Sequence, residues 1–264
     1  MARKGEKRAL RGRAGRMKGG RGSGKAGAGH VRLWGRHAVE AALNNPDRAH
    51  RKLWATREGV ASLDGELPEN FPIEYADVQD LARLVARDAP HQGLVLECEP
   101  LADRHLDEFF NEDISRPLVI LDQVTDPHNV GAILRSSAAF NAAAIVTQDR
   151  HAPPESGVIA KSASGALESV PWVRVVNLSR ALDEMAGAGY WRIGLDGDAD
   201  ATLAEALPAG KLAIVLGAEG EGMRHNVRQH CDAIAKLPIS SAIESLNVSN
   251  AAAIALYAAA TRIT

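Results

Sequence analysis

The chain has 264 residues, 45% of them hydrophobic, with a net charge of −2 and two cysteines. That length allows one large domain or two ordinary ones with a substantial core. Cys98 and Cys231 belong to no C-x-x-C pair, and no apolar run approaches the roughly 20 residues of a membrane span, so a disulfide scaffold and a membrane protein are excluded and a reducing, cytoplasmic setting is expected. The nine His are scattered without ligand spacing, and no metal site is expected.

The charge is unevenly spread. Residues 1–29 carry ten Lys/Arg against Glu6 alone, a balance of +9, while residues 30–264 carry 21 basic against 32 acidic side chains. A Gly-rich, basic segment of this kind buries too little apolar surface to fold alone and is read as a disordered tail. Its useful physics is counterion release from a polyanion. A purely solubilising tail is the plainer reading, and a transit peptide fits less well because amphipathic periodicity is weak.

The first folded block is expected over residues 30–99. HAVEAALNN reads as a helix with Ala38, Val39, Ala42 and Leu43 on one face, stopped by Asn-Asn-Pro. RKLWAT, FPIEYA and GLVLEC read as short strands. DVQDLARLVARD reads as a helix with Val78, Leu81, Leu84 and Val85 at helical spacing and Asp77 as N-cap. Residues 100–116, charged and bounded by Pro100 and Pro117, read as a linker with a helical turn or two around Asp103–Phe110.

The second block, 117–264, has strand candidates LVILD, AAIVT, WVRVV, YWRIGLD, LAIVLG and AIAKLP, with helical stretches between most of them. Apolar strands without alternation, interleaved with helices, indicate an α/β fold with a mainly parallel sheet covered on both faces. Ligands of such sheets sit beyond the carboxyl ends of the strands, which directs attention to three loops. In TDPHNVGAILR, Pro127 fixes the turn, Asn129 is placed to cap the following helix, Gly131 permits close packing against the strand, and Arg135 projects from the second turn. Arg135 is either a solvated helix-face residue or, with apolar Ile133, Leu134 and Ala138 around it, an anion holder. In LGAEGEGMR, the glycines let backbone approach a ligand, but the Glu219 carboxylate disfavours a pyrophosphate beside it. In LPISSAIESLNVSN, the Ser/Asn crowd is either a set of caps or a polar shelf at the sheet edge. The Ala-rich C-terminal helix is either an oligomer contact or a tightly packed internal helix.

Together the three segments, DPHNVGAILR, GAEGEG and SLNVS in that order, resemble the SpoU family of RNA 2′-O-ribose methyltransferases, part of the SPOUT class. Residues 30–99, with WGRHAVEAAL near the start and HQGLVLE near the end, look like the family's L30e-like substrate-binding domain. The domain order is similar to that of the 23S ribosomal RNA guanosine 2′-O-methyltransferases. The resemblance implies a SPOUT catalytic domain with a deep trefoil knot, a topology that general chain-path rules exclude. It implies S-adenosylmethionine as cofactor, RNA as partner, and a homodimer through the knot region and C-terminal helix. It implies Asn129, Arg135, Glu219 and Asn247 as catalytic residues. Gly217, Leu237, Ile239 and Leu246 would contact the adenosine, with Ser245 and Ser249 in support. Ser241 stands where the family often has Gly, and Glu244 where a smaller residue is common. A transfer RNA substrate and a non-catalytic RNA-binding assembly factor are the alternatives. A nicotinamide dehydrogenase lacks its fingerprint turn.

Overall fold

The computed structural model describes residues 29–65, 67, 70–111, 113 and 116–262. The basic segment thus lies outside the described residues except for Gly29. In chain order the first elements are β1 (Val31–Trp34), α1 (Arg36–Asn44), β2 (His50–Ala55), α2 (Arg57–Ala61), β3 (Ile73–Tyr75), α3 (Val78–Ala82) and β4 (Leu94–Cys98). A single 3-10 turn, Leu106–Phe109, precedes the second series. That series runs β5 (Leu118–Leu121), α4 (Pro127–Ala139), β6 (Ala144–Gln148), α5 (Gly157–Ala163), β7 (Trp172–Val175), α6 (Leu178–Gly187), β8 (Trp191–Leu195), β9 (Ala201–Thr202), α7 (Leu203–Ala206), β10 (Leu212–Leu216), α8 (His225–Arg228), β11 (Ala233–Lys236) and α9 (Val248–Thr261).

The small unit is a four-stranded sheet ordered β1-β4-β2-β3, antiparallel except where β2 meets β3. β1 and α2 were not foreseen: each is five residues or shorter, too brief for a period to register. Asp77 caps α3 as expected, accepting from the Asp80 amide at 2.8 Å. That helix stops at Ala82 rather than running on through Asp88. Leu84 and Val85 instead turn in against Trp34 and Val95 on the sheet face, and Asp88 adopts φ 59° ahead of Pro90.

The large unit is a seven-stranded sheet ordered β7-β6-β5-β10-β8-β11-β9. All six of its strand pairings are parallel among the described residues. The runs Leu118–Leu121 and Leu212–Leu216 are wholly buried because helices cover both faces, which is why they show no alternation. The two-residue β9 escaped sequence reading. The order in which successive strands are added reverses at β5/β10, so the loops after these two parallel strands open side by side at the carboxyl edge. After β11 the chain returns over that edge, and α9 packs along α4, where Phe140 meets Tyr257 edge-on at 5.9 Å.

The two units share one hydrophobic cluster. At their junction α5 lies on β1, and a Cβ on Gly157 would fall 2.1 Å from the Trp34 ring. Arg48, fully buried, reaches across from the α1–β2 turn. It ion-pairs with Glu155 and Glu168 and donates to the Glu99 carbonyl at 2.9 Å. Gly131 packs not against its own strand, as expected, but against α5: a Cβ there would lie 2.5 Å from the Ser162 Cβ.

Candidate active site at the carboxyl edge

The first of the three loops leaves β5 at Asp122. The N-cap of α4 is Asp126, which accepts from the His128 amide at 2.9 Å, with Pro127 supplying the preset φ of the first helical residue. Asn129 is therefore not the cap. It sits inside the first turn, only 7% exposed, and its side chain is free to reach outward to the neighbouring loops.

The second loop follows β10. Gly217 has no room for a side chain, since a Cβ would meet the Gly222 carbonyl carbon at 2.2 Å and the Met223 nitrogen at 2.3 Å. The Ala218 and Gly222 amides bond to each other's carbonyls at 3.1 and 3.0 Å, closing a tight turn that presents Glu219 at its tip. Gly220 and Gly222, at φ 82° and 68°, supply the left-handed backbone the turn requires.

The third loop, after β11, ends at Asn247, the true N-cap of α9. Its side-chain oxygen accepts from the Ser249 amide at 2.9 Å and from the Ser249 hydroxyl. The cap and shelf readings of this segment thus hold at once. With its oxygen so engaged, the Asn247 amide nitrogen donates to the Asn129 oxygen at 3.0 Å and to Glu219 Oε1 at 2.6 Å. Asn129 in turn donates to the same Glu219 oxygen at 3.1 Å. Three residues separated by 90 and 118 positions along the chain form a closed hydrogen-bonded triangle.

Around it, Leu237 and Leu246 are half-buried and Ile239 is 39% exposed, so the third loop offers apolar surface beside the triangle. Ser245 is exposed and makes no hydrogen bond with a described residue, whereas Ser249 braces Asn247. Ser241 and Glu244 lie exposed in the same loop. Arg135 is not drawn into the triangle. Six helical residues place it about 120° around α4 from Asn129, on an exposed face, where it bonds to no described residue.

Two residues that sequence reading passed over fix the loops. Asp122, fully buried at the end of β5, accepts from the Arg224 amide and Nε, each at 2.8 Å. Arg224 also donates to Gln148 Oε1 at 2.8 Å. This pins the end of the second loop to the mouths of β5 and β6. The signal was present as an acid closing LVILD and an Arg closing GEGMR, but only proximity makes it a pair. Among the described residues no cluster of three or more His, Cys, Asp or Glu is arranged to hold a metal ion.

Residues 116–257, more than half of the chain, match the SpoU rRNA Methylase family, and residues 32–103 match the family described as RNA 2′-O ribose methyltransferase substrate binding. The chain belongs to the SpoU family. Among its relatives, the 23S rRNA (guanosine-2′-O-)-methyltransferase RlmB of Vibrio vulnificus is 35% identical over 86% of this chain and 95% of its own. RlmB of Pseudomonas putida is 34% identical over the same shares. In fold the chain is similar to the SpoU methyltransferase AviRb from Streptomyces viridochromogenes in complex with AdoMet, with a TM-score of 0.73 at 23% identity, covering 89% and 90% of the two chains. It is likewise similar to a protein of the TrmH family from Porphyromonas gingivalis, with a TM-score of 0.72 at 25% identity, over 88% and 90%. The SpoU match covers all three loops of the triangle.

Proposed function

We propose that this protein transfers a methyl group from S-adenosylmethionine to the ribose 2′-hydroxyl of a guanosine in 23S ribosomal RNA, the reaction named for its RlmB relatives. The observation that carries this reading is the Asn129–Glu219–Asn247 triangle, which joins the loops after β5, β10 and β11. In this reading residues 30–99 form an L30e-like domain that grips RNA, 100–116 a linker and 117–264 the catalytic domain. Residues 1–29 add salt-sensitive affinity for RNA.

The loops suit S-adenosylmethionine. The cofactor has no pyrophosphate, in keeping with a carboxylate in the Gly-rich loop. Gly217, Leu237, Ile239 and Leu246 supply backbone and apolar surface for an adenosine. When bound, the cofactor provides an electrophilic methyl group. The protein's task is then alignment: the attacking oxygen must be held in line, and good alignment alone supplies a large share of the acceleration. Glu219, held by two amides, fixes the relative positions of the three loops. Asn129 orients the ribose, and Arg135 holds the RNA phosphate and stabilises the developing alkoxide. A guanidinium stays protonated at neutral pH and is a poor general base, so a phosphate oxygen of the RNA takes the proton.

Arg135 is exposed, as are Ile254 at 45% and Tyr257 at 59% on α9, the helix that packs on α4. A homodimer through α9 and the adjacent loops would cover this apolar surface and bring a second copy towards Arg135. The return of the chain from β11 to α9 is the segment that would complete the trefoil knot. With bacterial ribosomal RNA enzymes as relatives, the setting is cytoplasmic. Among the described residues no helix is long and apolar enough to cross a membrane.

Mapping ribose methylation in ribosomal RNA by reverse-transcription stops, with and without the gene, tests the reaction. The expected outcome is one 23S guanosine stop lost with the gene and restored by the wild-type protein, with Arg135→Lys restoring little of it at saturating RNA. Full restoration by Arg135→Lys contradicts the geometric role of the guanidinium. Loss of a transfer RNA stop instead reassigns the substrate.

A further inference from the structure

The junction between the two units holds a cation that has no carboxylate partner among the described residues. Lys161, near the end of α5, sends its ammonium to the side-chain oxygen of Gln92 in the small unit at 2.6 Å. No carboxylate of the described residues lies within ion-pair distance of it. Its neighbours are differently placed: Arg36 pairs with Glu40 and Asp64, and Arg48 with Glu155 and Glu168. Burial holds Lys161 below the ordinary lysine range, and no acid opposes the shift.

The surroundings are shaped to keep the ammonium where it is. Gly35 adopts φ 84°, a backbone that favours glycine, and the Lys161 ammonium lies over it, 2.5 Å from where a Cβ would stand. Gln92 adopts φ 53°, an uncommon left-handed backbone for a residue with a side chain, and its oxygen also accepts from the Arg36 amide at 3.1 Å. An amide oxygen satisfies a donor without cancelling its charge. A half-desolvated ammonium held by a neutral acceptor has capacity left for an anion. The position is also linked to the catalytic edge. Ser162, the next residue, has its hydroxyl 3.2 Å from His128 Nδ1, and His128 immediately precedes Asn129.

We infer that Lys161, positioned by Gln92 and Gly35, binds a backbone phosphodiester of the RNA as the strand passes from the small unit to the Asn129–Glu219–Asn247 triangle. This rests on the proposed RNA substrate. The site takes a phosphate rather than a base, because a lysine tip offers a compact point charge and no plane on which a base could stack.

The test uses the full-length protein, in-vitro-transcribed 23S ribosomal RNA, and the variants Lys161→Met and Lys161→Arg. Methionine keeps the stem's packing without the charge. RNA affinity is measured over a series of salt concentrations, alongside S-adenosylmethionine affinity, thermal unfolding and methyl transfer. Lys161→Met is expected to bind RNA about tenfold more weakly at moderate salt. Its plot of log affinity against log salt should be shallower by about 0.7, the loss of one single-strand phosphate contact. S-adenosylmethionine affinity should be unchanged, and Lys161→Arg should retain the wild-type slope. An unchanged slope in Lys161→Met overturns the phosphate site, and a lowered melting temperature alongside that slope reduces Lys161 to a tie between the units. Absence of methyl transfer by the wild-type protein overturns the proposed reaction instead, and is read independently of the slope.

Discussion

Two polar clusters span loops that are far apart in the chain, and they are built in opposite ways. Around Arg48 the cation itself is closed in. Its side chain is 0% exposed, and those of Glu155 and Glu168 are 10% and 6% exposed. Its donors are divided among two carboxylates and the Glu99 carbonyl, and Asn45 adds a bond to Glu168 at 2.8 Å. The Asn129–Glu219–Asn247 triangle is open on one side. Asn129 is buried, but Glu219 and Asn247 are exposed, and both amides converge on one carboxylate oxygen while no described residue binds the other. A buried cation whose donor nitrogens are all committed to its own partners fixes geometry. A cluster that is internally braced yet open can hold a visiting group.

The contrast is tested most strongly at Arg48. Arg48→Met leaves two carboxylates buried without their cation, and we expect a loss of about 3–5 kcal/mol in urea unfolding, while methyl transfer per folded molecule survives. A variant with wild-type stability would show that the cluster does not clamp the units. Asn247→Ala should behave the other way. Removing the cap of α9 costs about 1 kcal/mol. Loop alignment is lost with it, so turnover should fall on the order of 100-fold in a methyl-transfer assay. Equal proportional effects on stability and turnover would erase the distinction between the clusters.

The smallest effect concerns the thiols. Burial, the largest cause in both cases, pushes Cys98 beside the Arg48 cluster up to about 12 and Cys231 up to about 11. Neither should react with a disulfide reagent at about pH 8 in the native protein, and both should react once urea unfolds it. Because each folded value lies above the unfolded thiol value of about 8.5, the associated stability is complete below that pH. It declines as pH rises towards the folded values. Rapid labelling of native Cys98 would mean that the junction opens readily.

Much of this organisation was legible beforehand. The six longer strands of the large unit were recognisable as apolar runs, and α1, α4, α9 and the Asp77 cap followed from spacing and capping chemistry. The errors were local. Asn129 reads as a cap because Asn commonly is one, yet Asp126 and Pro127 occupy the cap and first helical position and leave it free. The helix foreseen from Asp77 to Asp88 lost its second half to packing of Leu84 and Val85. The Asp122–Arg224 pair joins residues 102 apart, with no local pattern to announce it.

The sequence by itself determined which segments would be strands and helices and which three loops held the unusual chemistry. Periodicity, caps and glycines act over a few residues and can be read there. Tertiary structure decided that Asn129, Glu219 and Asn247 share hydrogen bonds, that Arg135 stands apart from them, that Arg48 is held between two acids and that Lys161 meets none among the described residues. Those facts depend on strand order and on a chain returning over the sheet edge. Such long-range closure is fixed by packing of the whole core and leaves no trace in the spacing of neighbouring residues.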